Sequence, residues 1–563
     1  MVGIAIIIRL RADVFERLGD RIIAALWLGI VLLANGLLLL SLGLPLSPIV
    51  GLAIAIGVSL LLLSWAPIRV EIQSLWRAKS PPVIAAVIGC SLLVAVYMTP
   101  QVTWFDTGLY HFGAIRWLSE FGTVPGLALL IDNLGFTSSW FALAAPFSAR
   151  SIAPRVSAMV NGFVFLLFVC HGYLTLRYWF TGKARIADKF ILIFLGLVLP
   201  ALLFTPFMST ILVSSSPDIP VIFLTGIMAW SILIIVNRPQ THFERTELSH
   251  WDASLIPLLL ALGTVSIKLS ALPLLPIAFL FYWQRQFLSF RRLLIGSAVS
   301  LLLLSPLMSV SIMTSGCPLY PSSALCINVP WRVSTEVASR AIEIIRIWDH
   351  NFGDVPPGAN RLFLQFWEWL KFAQFNVVML LLLLLSVLVV VPTFKTANNQ
   401  GIYGIPWLFG CSFIGMIFIM VRAPMIRFGL GYFVMVPAVA TAVLGTAYLA
   451  KSHWQLPQYF SRKTIYNYLS KSVFVGFGLI VALIFFQPDI QSRLLLPLAM
   501  PTNQVESKQS YDVKFVTPVS DDSIKCWAAP IPCTPYGNLS IRLRNPAQGL
   551  KAGFLPGEAS PQP

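Results

Sequence analysis

The sequence predicts an all-α polytopic membrane protein of about thirteen transmembrane helices, and three features carry that reading. Of its 563 residues, 57% are apolar and only 11% charged, against roughly 25% charged in a soluble domain. The apolar residues fall in runs long enough to cross a bilayer. The lysines and arginines behind the net charge of +16 collect in short loops between those runs, which sets membrane orientation and calls for no nucleic-acid partner.

In chain order, residues 1–21 carry Arg9, Arg11 and Arg17 but no small-residue cleavage site, so they read as a retained cytoplasmic N-terminus rather than a signal peptide. Runs near 22–42, 48–65 and 82–98 give the first three helices within 22–98, with Arg69, Arg77 and Lys79 in the basic loop before the third. Residues 99–157 are a first long loop. Helices four to nine occupy 158–313; two of them, near 254–265 and 272–282, are close-set and parted by Lys268. A second long loop spans 314–372, helices ten to thirteen lie within 373–486, and 487–563 form a tail. With the N-terminus inside, every strongly basic loop falls on the cytoplasmic side, and both long loops and the tail lie outside a plasma (inner) membrane.

The stretch 104–141 is too polar and too broken by glycine to cross a bilayer. Asp106 opens a helical pattern in which Tyr110, Ala114, Trp117, Leu118 and Phe121 share one side, with Arg116 and Glu120 opposite. That spacing suits a helix lying on a membrane surface. In the second loop, Pro and aromatic residues suggest an ordered cover, with Tyr320 and Trp331 either facing the cavity or simply packing at the interface.

The seven cysteines do not make a disulfide scaffold. Cys317 and Cys326 share the second loop, and Cys526 and Cys533 share the tail, so both pairs are disulfide candidates in an oxidising space. Cys90, Cys170 and Cys411 fall in spans and read as packing residues. No zinc, P-loop or dinucleotide motif stands in a usable context.

Ionisable residues near the outer face are the informative ones, because charges there are costly. Asp106 is either a functional acid or only a helix N-cap. Asp218, in SSSPDIP, is a pocket acid or a helix start. Lys268 is a ligand-binding cation or snorkels to headgroups, and Arg427 is a site cation or an interface anchor. His111 reads as a neighbour of the site, since no second histidine has ligand spacing. Two acids and two cations converging on one outer cavity would let the cations hold a carrier phosphate while a carboxylate takes a proton from an acceptor hydroxyl.

The pattern DTGLYHFGAIRWLSEFGTVPG, then SPDIPVIFL, VSIKLSALPLLP and MIRFGLGYFVMVP, resembles in order the motifs of GT-C fold glycosyltransferases, which use polyprenyl-phosphate sugars. These include protein O-mannosyltransferases and the aminoarabinose transferases of lipid A. The resemblance covers about 104–437 and implies a GT-C-like fold with Asp106 as catalytic base and Lys268 and Arg427 on the carrier phosphate. Asp218, Tyr110, His111, Arg116, Tyr320 and Trp331 would line the pocket. It further implies inverting transfer of a sugar from a polyprenyl-phosphate donor to a glycan, lipid or protein acceptor, as in cell-envelope polysaccharide biosynthesis. No cofactor is indicated for certain, and a divalent metal stays open: Asp106 is followed by Thr107, so a site built on paired carboxylates lacks its second acid. The alternatives are a lipid-linked saccharide transporter or flippase, which would show internal repeats with broken spans at matching positions in two halves, and a polysaccharide polymerase or ligase, which would not need Asp106.

Overall fold

The computed structural model describes residues 1–77, 81–148, 155, 158–238, 250–284, 289–350, 361–451, 486–519, 524–537 and 539–557. The chain runs through α1 (Val2–Arg9), α2 (Leu18–Leu40), α3 (Pro48–Ser64), α4 (Ala66–Arg77) and α5 (Pro81–Tyr97) into the first long loop. That loop contains a π-helical turn (Thr107–His111), α6 (Phe112–Glu120) and α7 (Ser139–Ala144). Then come α8 (Met159–Phe180), α9 (Ile186–Phe204), α10 (Pro206–Leu212), α11 (Asp218–Val236), α12 (Leu255–Ile267), α13 (Leu274–Gln284) and α14 (Phe290–Ser315). The second long loop carries α15 (Thr335–His350) and α16 (Arg361–Phe372), followed by α17 (Gln374–Asn399), α18 (Ile405–Arg422), α19 (Ile426–Lys451) and, in the tail, α20 (Pro488–Leu495).

The protein is a multi-pass membrane protein. Among the described residues eight helices are long and apolar enough to cross a membrane, or nine if α3 and α4, bent by 98°, form one span. Of the other expected spans, α5, α12 and α13 are apolar helices of 10–17 residues, short of the about 20 residues that a bilayer core asks of one straight helix. The basic loop expected after the second span is the amphipathic helix α4, whose Arg69 is bonded to the Leu63 and Ser64 carbonyls. Lys79 and all but the last residue of the expected thirteenth span lie outside the described residues.

The bundle is built around α11. Within its most apolar stretch 94% of residues are buried, so it is surrounded by protein rather than lipid, as a helix apolar on every face should be. Helices α9, α12 and α19 pack around it. Polar contacts sort the helix ends into two sets. At one end Arg17 pairs with Asp20 and Asp188 (both 2.8 Å), Lys189 reaches Thr446 (2.8 Å), and Arg292 meets Asp252. At the other, Ser41 bonds to Thr123 (2.7 Å), Trp369 to the Pro424 carbonyl (2.9 Å), and Gly126 to the Met313 carbonyl (2.9 Å). Tyr282, late in α13, bonds to the His250 carbonyl just before α12 (2.7 Å). The two short helices therefore form a hairpin, with Lys268 at its turn and at the second end.

The tail folds over that second end. Strands β1 (Val505–Ser510) and β2 (Val513–Pro518) form an antiparallel hairpin, and β3 (Ile541–Leu543) pairs with β4 (Phe554–Pro556). Val513, Ile541 and Phe554 share one apolar cluster with Trp117, Val124, Leu127 and Leu130 of the first loop. Helix α6 is thus not a free surface helix. Ile115 faces the bundle core and Trp117, 1% exposed, faces the tail, because a second layer covers the side expected to meet lipid. Both expected disulfides, Cys317–Cys326 and Cys526–Cys533, are formed, and Cys90, Cys170 and Cys411 are free.

Candidate functional site

Four helix or turn boundaries meet at this end of the bundle, and each presents a charge. The SSSPD sequence builds the first. Ser216 Oγ accepts from the Asp218 amide (3.3 Å) and donates to Asp218 Oδ2 (3.1 Å), and α11 starts there with Pro220 in its first turn. Buried bonds fix this corner: Trp140 Nε1 donates to Asn161 (2.8 Å), which donates to the Ser216 carbonyl (3.1 Å). The second boundary is the break after α12, where Lys268 adopts extended backbone and its ammonium pairs with Asp218 Oδ1. Ser138 Oγ donates to the carbonyl of Ile267, the residue before Lys268 (2.7 Å), which ties the first loop to this break.

Arg427, in the first turn of α19, bonds to Asp106 Oδ2 at 2.6 Å and approaches Asp218 Oδ2 at 3.9 Å. Asp106 precedes the π turn but makes no side-chain capping bond there; its carboxylate is spent on Arg427. The four residues, separated by up to 321 positions in sequence, form one group with no net charge. Phe428 lies 4.2 Å from the Lys268 ammonium and 4.4 Å from the Arg427 guanidinium, and Trp104 lies 5.1 Å from the latter, so both cations also rest on aromatic faces.

Access separates the roles. The Asp218 side chain is 1% exposed and held at both oxygens, whereas Asp106 is 19% and Lys268 23% exposed. Asp218 is the fixed counter-ion; Asp106, Lys268 and, at 14% exposed, Arg427 are the partly open groups. The Nε–H of Arg427 is buried and makes no hydrogen bond among the described residues. Burial alone would raise the Asp106 carboxyl, but the Arg427 guanidinium, with His111 and Lys268 further out, holds it below the ordinary carboxylate value.

Tyr110 and His111 line the wall behind Asp106, their rings 4.5 Å apart, with Phe141 5.2 Å from His111. Burial pushes the Tyr110 phenol well above its usual value, and the Asp106 charge adds to it. His111 is 1% exposed with Nδ1 3.2 Å from Thr107 Oγ1; burial lowers it to about 4, so it is neutral at pH 7. Because its folded value is depressed, the unfolded chain takes up a proton first. Stability is then complete above about pH 6.5 and is lost as pH falls toward 4, by on the order of 3 kcal/mol. Unfolding midpoints in detergent should fall over that window, and His111→Gln should flatten the fall; an unchanged slope would rule the buried imidazole out as its source.

Three expected pocket residues sit elsewhere. Arg116 pairs with Glu120 (3.1 Å) and donates to the Ala529 carbonyl (2.6 Å), so it docks the tail. Tyr320, 2% exposed, packs on Phe136 at 5.6 Å. Trp331 donates to the Ile312 carbonyl (3.0 Å) with Arg544 over its ring. Both rings are spent on packing the loops together. Conversely, Trp104, Phe428, Ser216 and Asn161 were not singled out from the sequence. Ser216 and Phe428 stand inside motifs read for their charged members, and nothing in the pattern marked Asn161. A narrow groove lined by Leu38, Phe136, Ser138, Phe141, Val310 and Thr314 lies beside the Lys268 turn through the bond from Ser138 to the Ile267 carbonyl. Among the described residues no three His, Cys, Asp or Glu side chains cluster as a metal site would need.

Fold and site together define a multi-pass helical membrane protein with a partly open, charge-compensated cluster where its helix ends meet the long loops. The chain belongs to the family described as domain of unknown function DUF8201, whose model matches residues 1–434. That range contains all four charged residues and stops before the tail. No curated protein and no solved structure matches the chain.

Proposed function

We propose that this protein is an integral membrane glycosyltransferase of GT-C type, moving a sugar from a polyprenyl-phosphate donor to an acceptor hydroxyl on the extracytoplasmic side. The observation that carries the reading is the meeting of Asp106, Arg427, Lys268 and Asp218 in one partly open site. Its orientation follows from charge. Arg17, Lys183, Arg185, Lys189 and Arg292 gather at the opposite end of the bundle, which the positive-inside bias puts in the cytoplasm. The N-terminus is then cytoplasmic and the tail extracytoplasmic, in the plasma membrane.

Lys268 and the Arg427 guanidinium would bind the carrier phosphate, the first as a point charge and the second as a planar fork. As Arg427 turns toward phosphate it releases Asp106. Burial then raises the carboxylate's proton affinity toward what a general base needs. The acceptor oxygen attacks the anomeric carbon, its proton passes to Asp106, and the bond from that carbon to the phosphate oxygen breaks. The polyprenyl phosphate leaves with the bonding pair, its charge held by the two cations. In-line attack inverts the anomeric centre.

The reading is tested in proteoliposomes holding the full chain and a panel of polyprenyl-phosphate sugars, by following release of free polyprenyl phosphate in the presence of envelope glycan, lipid and protein acceptors. Release with sugar appearing on an acceptor is the expected result. Movement of intact donor between leaflets without any release would replace the transferase by a flippase.

A further inference from the structure

The C-terminal tail touches the candidate site at one place. Trp527 sits between Cys526 and the rest of a loop closed by the Cys526–Cys533 disulfide. Its amide donates to the Gly108 carbonyl at 2.9 Å. Its ring lies so close over Gly108 that any Cβ there would come within 2.7 Å of it. Trp527 is 6% exposed, packed with Phe112 and Met500. Its backbone lies in the left-handed region, φ +43°, which a non-glycine residue holds only where its surroundings impose it. On either side, Lys525 lies 5.0 Å over the ring of Phe105, the neighbour of Asp106, and the Ala529 carbonyl receives Arg116. The loop is itself anchored to β2, since Val516 bonds to the Pro532 carbonyl and Thr534 to Val516 (both 3.0 Å).

What this loop presses on is unusual. Residues Thr107–His111 are π-helical, with the Phe112 amide bonded to the Thr107 carbonyl. A π turn holds one more residue than an α turn, has poorer hydrogen bonding, and persists where something else secures it. Were it to relax to α-helix, Asp106 would swing about 100° relative to α6, one residue's worth of helical rotation. The carboxylate would then no longer face Arg427.

We propose that Trp527 is a positioning residue, and that the disulfide-closed tail loop is a clamp that keeps the π turn in register and so keeps Asp106 opposite Arg427. The proposal concerns the geometry of the turn; its bearing on catalysis rests on the transferase reading above. In the free chain the ion pair alone does not choose between the π and α registers of the turn, and the tail does.

The test compares two cysteine pairs in the full-length protein, each bridged by a short bifunctional thiol reagent and identified by mass spectrometry. Asp106→Cys with Arg427→Cys reports the clamped contact. Asp218→Cys with Lys268→Cys reports a contact at the same end that the tail does not touch. Adding Trp527→Ala should slow the first cross-link at least about tenfold while leaving the second within about twofold, the size expected when one local unit opens and the rest stays folded. Trp527→Phe, which keeps a ring and the amide, should restore most of the rate. Gly108→Leu should act like Trp527→Ala, since it expels the ring without altering the tail. Equal slowing of both pairs would mean a general loss of structure, and no slowing of either would mean that the turn holds itself; both overturn the clamp. Should these variants not fold, hydrogen exchange at 104–112 in a Cys526→Ser, Cys533→Ser chain decides instead. Faster exchange there with α11 unchanged supports the clamp, and unchanged exchange overturns it. If the clamp variants behave as expected but the wild type transfers no sugar, the transferase reading fails and the clamp stands.

Discussion

Asp106→Asn should lower the rate of sugar transfer by about 10²–10⁴-fold, the usual range for removing a general base, while the protein inserts, folds and binds donor as before. The amide keeps the size and can still accept a bond from Arg427, so the loss isolates proton transfer rather than packing. Asp218→Asn makes a useful contrast. Asp218 is 1% exposed, bonded to Ser216 and paired with Lys268, so its replacement leaves a cation without its counter-ion and should show first as lost stability. A transfer rate that falls equally in both variants, in step with their unfolding temperatures, would remove Asp106 from the chemistry. Transfer that survives Asp106→Asn would do the same.

The second large effect concerns the cations. Arg427→Gln and Lys268→Gln should each weaken donor binding by about 10–150-fold, the worth of a charge-assisted bond of roughly 1.5–3 kcal/mol. The two should then differ in their pH behaviour. Arg427 is what chiefly holds the Asp106 carboxyl below its ordinary value against the opposing pull of burial. Taking it away leaves burial to raise that value in the donor-free protein, so the acid limb of kcat/KM should move to higher pH in Arg427→Gln. Lys268 is paired with Asp218 and is a weaker influence on Asp106, so Lys268→Gln should move the limb much less. Equal kcat/KM profiles in the two variants would contradict the pairing of Arg427 with Asp106 in the donor-free protein.

Much of this arrangement is legible in the residues themselves, for local reasons. Apolar runs and basic loops give the helical bundle. The cysteine pairs, each within ten residues, give both disulfides. Asp218 before Ile219-Pro220 marks a helix start, and Lys268 between two apolar runs marks a hairpin turn. The bend between α3 and α4 also has a local signal: Pro67 has no N–H to continue the helix and its ring would clash with the Leu63 carbonyl, and the two helices part at Trp65 just before it. The contact of Asp106 with Arg427, 321 residues away, has no signal in periodicity or composition, and only the order of motifs suggested it. That Arg116, Tyr320 and Trp331 bond to or pack on other loops and the tail has a related reason. A polar or aromatic residue in a long loop serves equally well to bind a ligand or to hold another loop. Which it does depends on a tail that carries no strong pattern of its own. The same holds for α6, whose second face looks fit for lipid until Trp117 is seen against Phe554.

The central claim is that Lys268 and Arg427 exist to hold a carrier phosphate beside Asp106. A structure of the full-length protein with a polyprenyl monophosphate bound tests it most directly. The phosphate should lie within hydrogen-bonding reach of Lys268 Nζ and the Arg427 guanidinium, with the bond from Arg427 to Asp106 opened. A headgroup bound elsewhere, with all four side chains still paired as they are here, would contradict it.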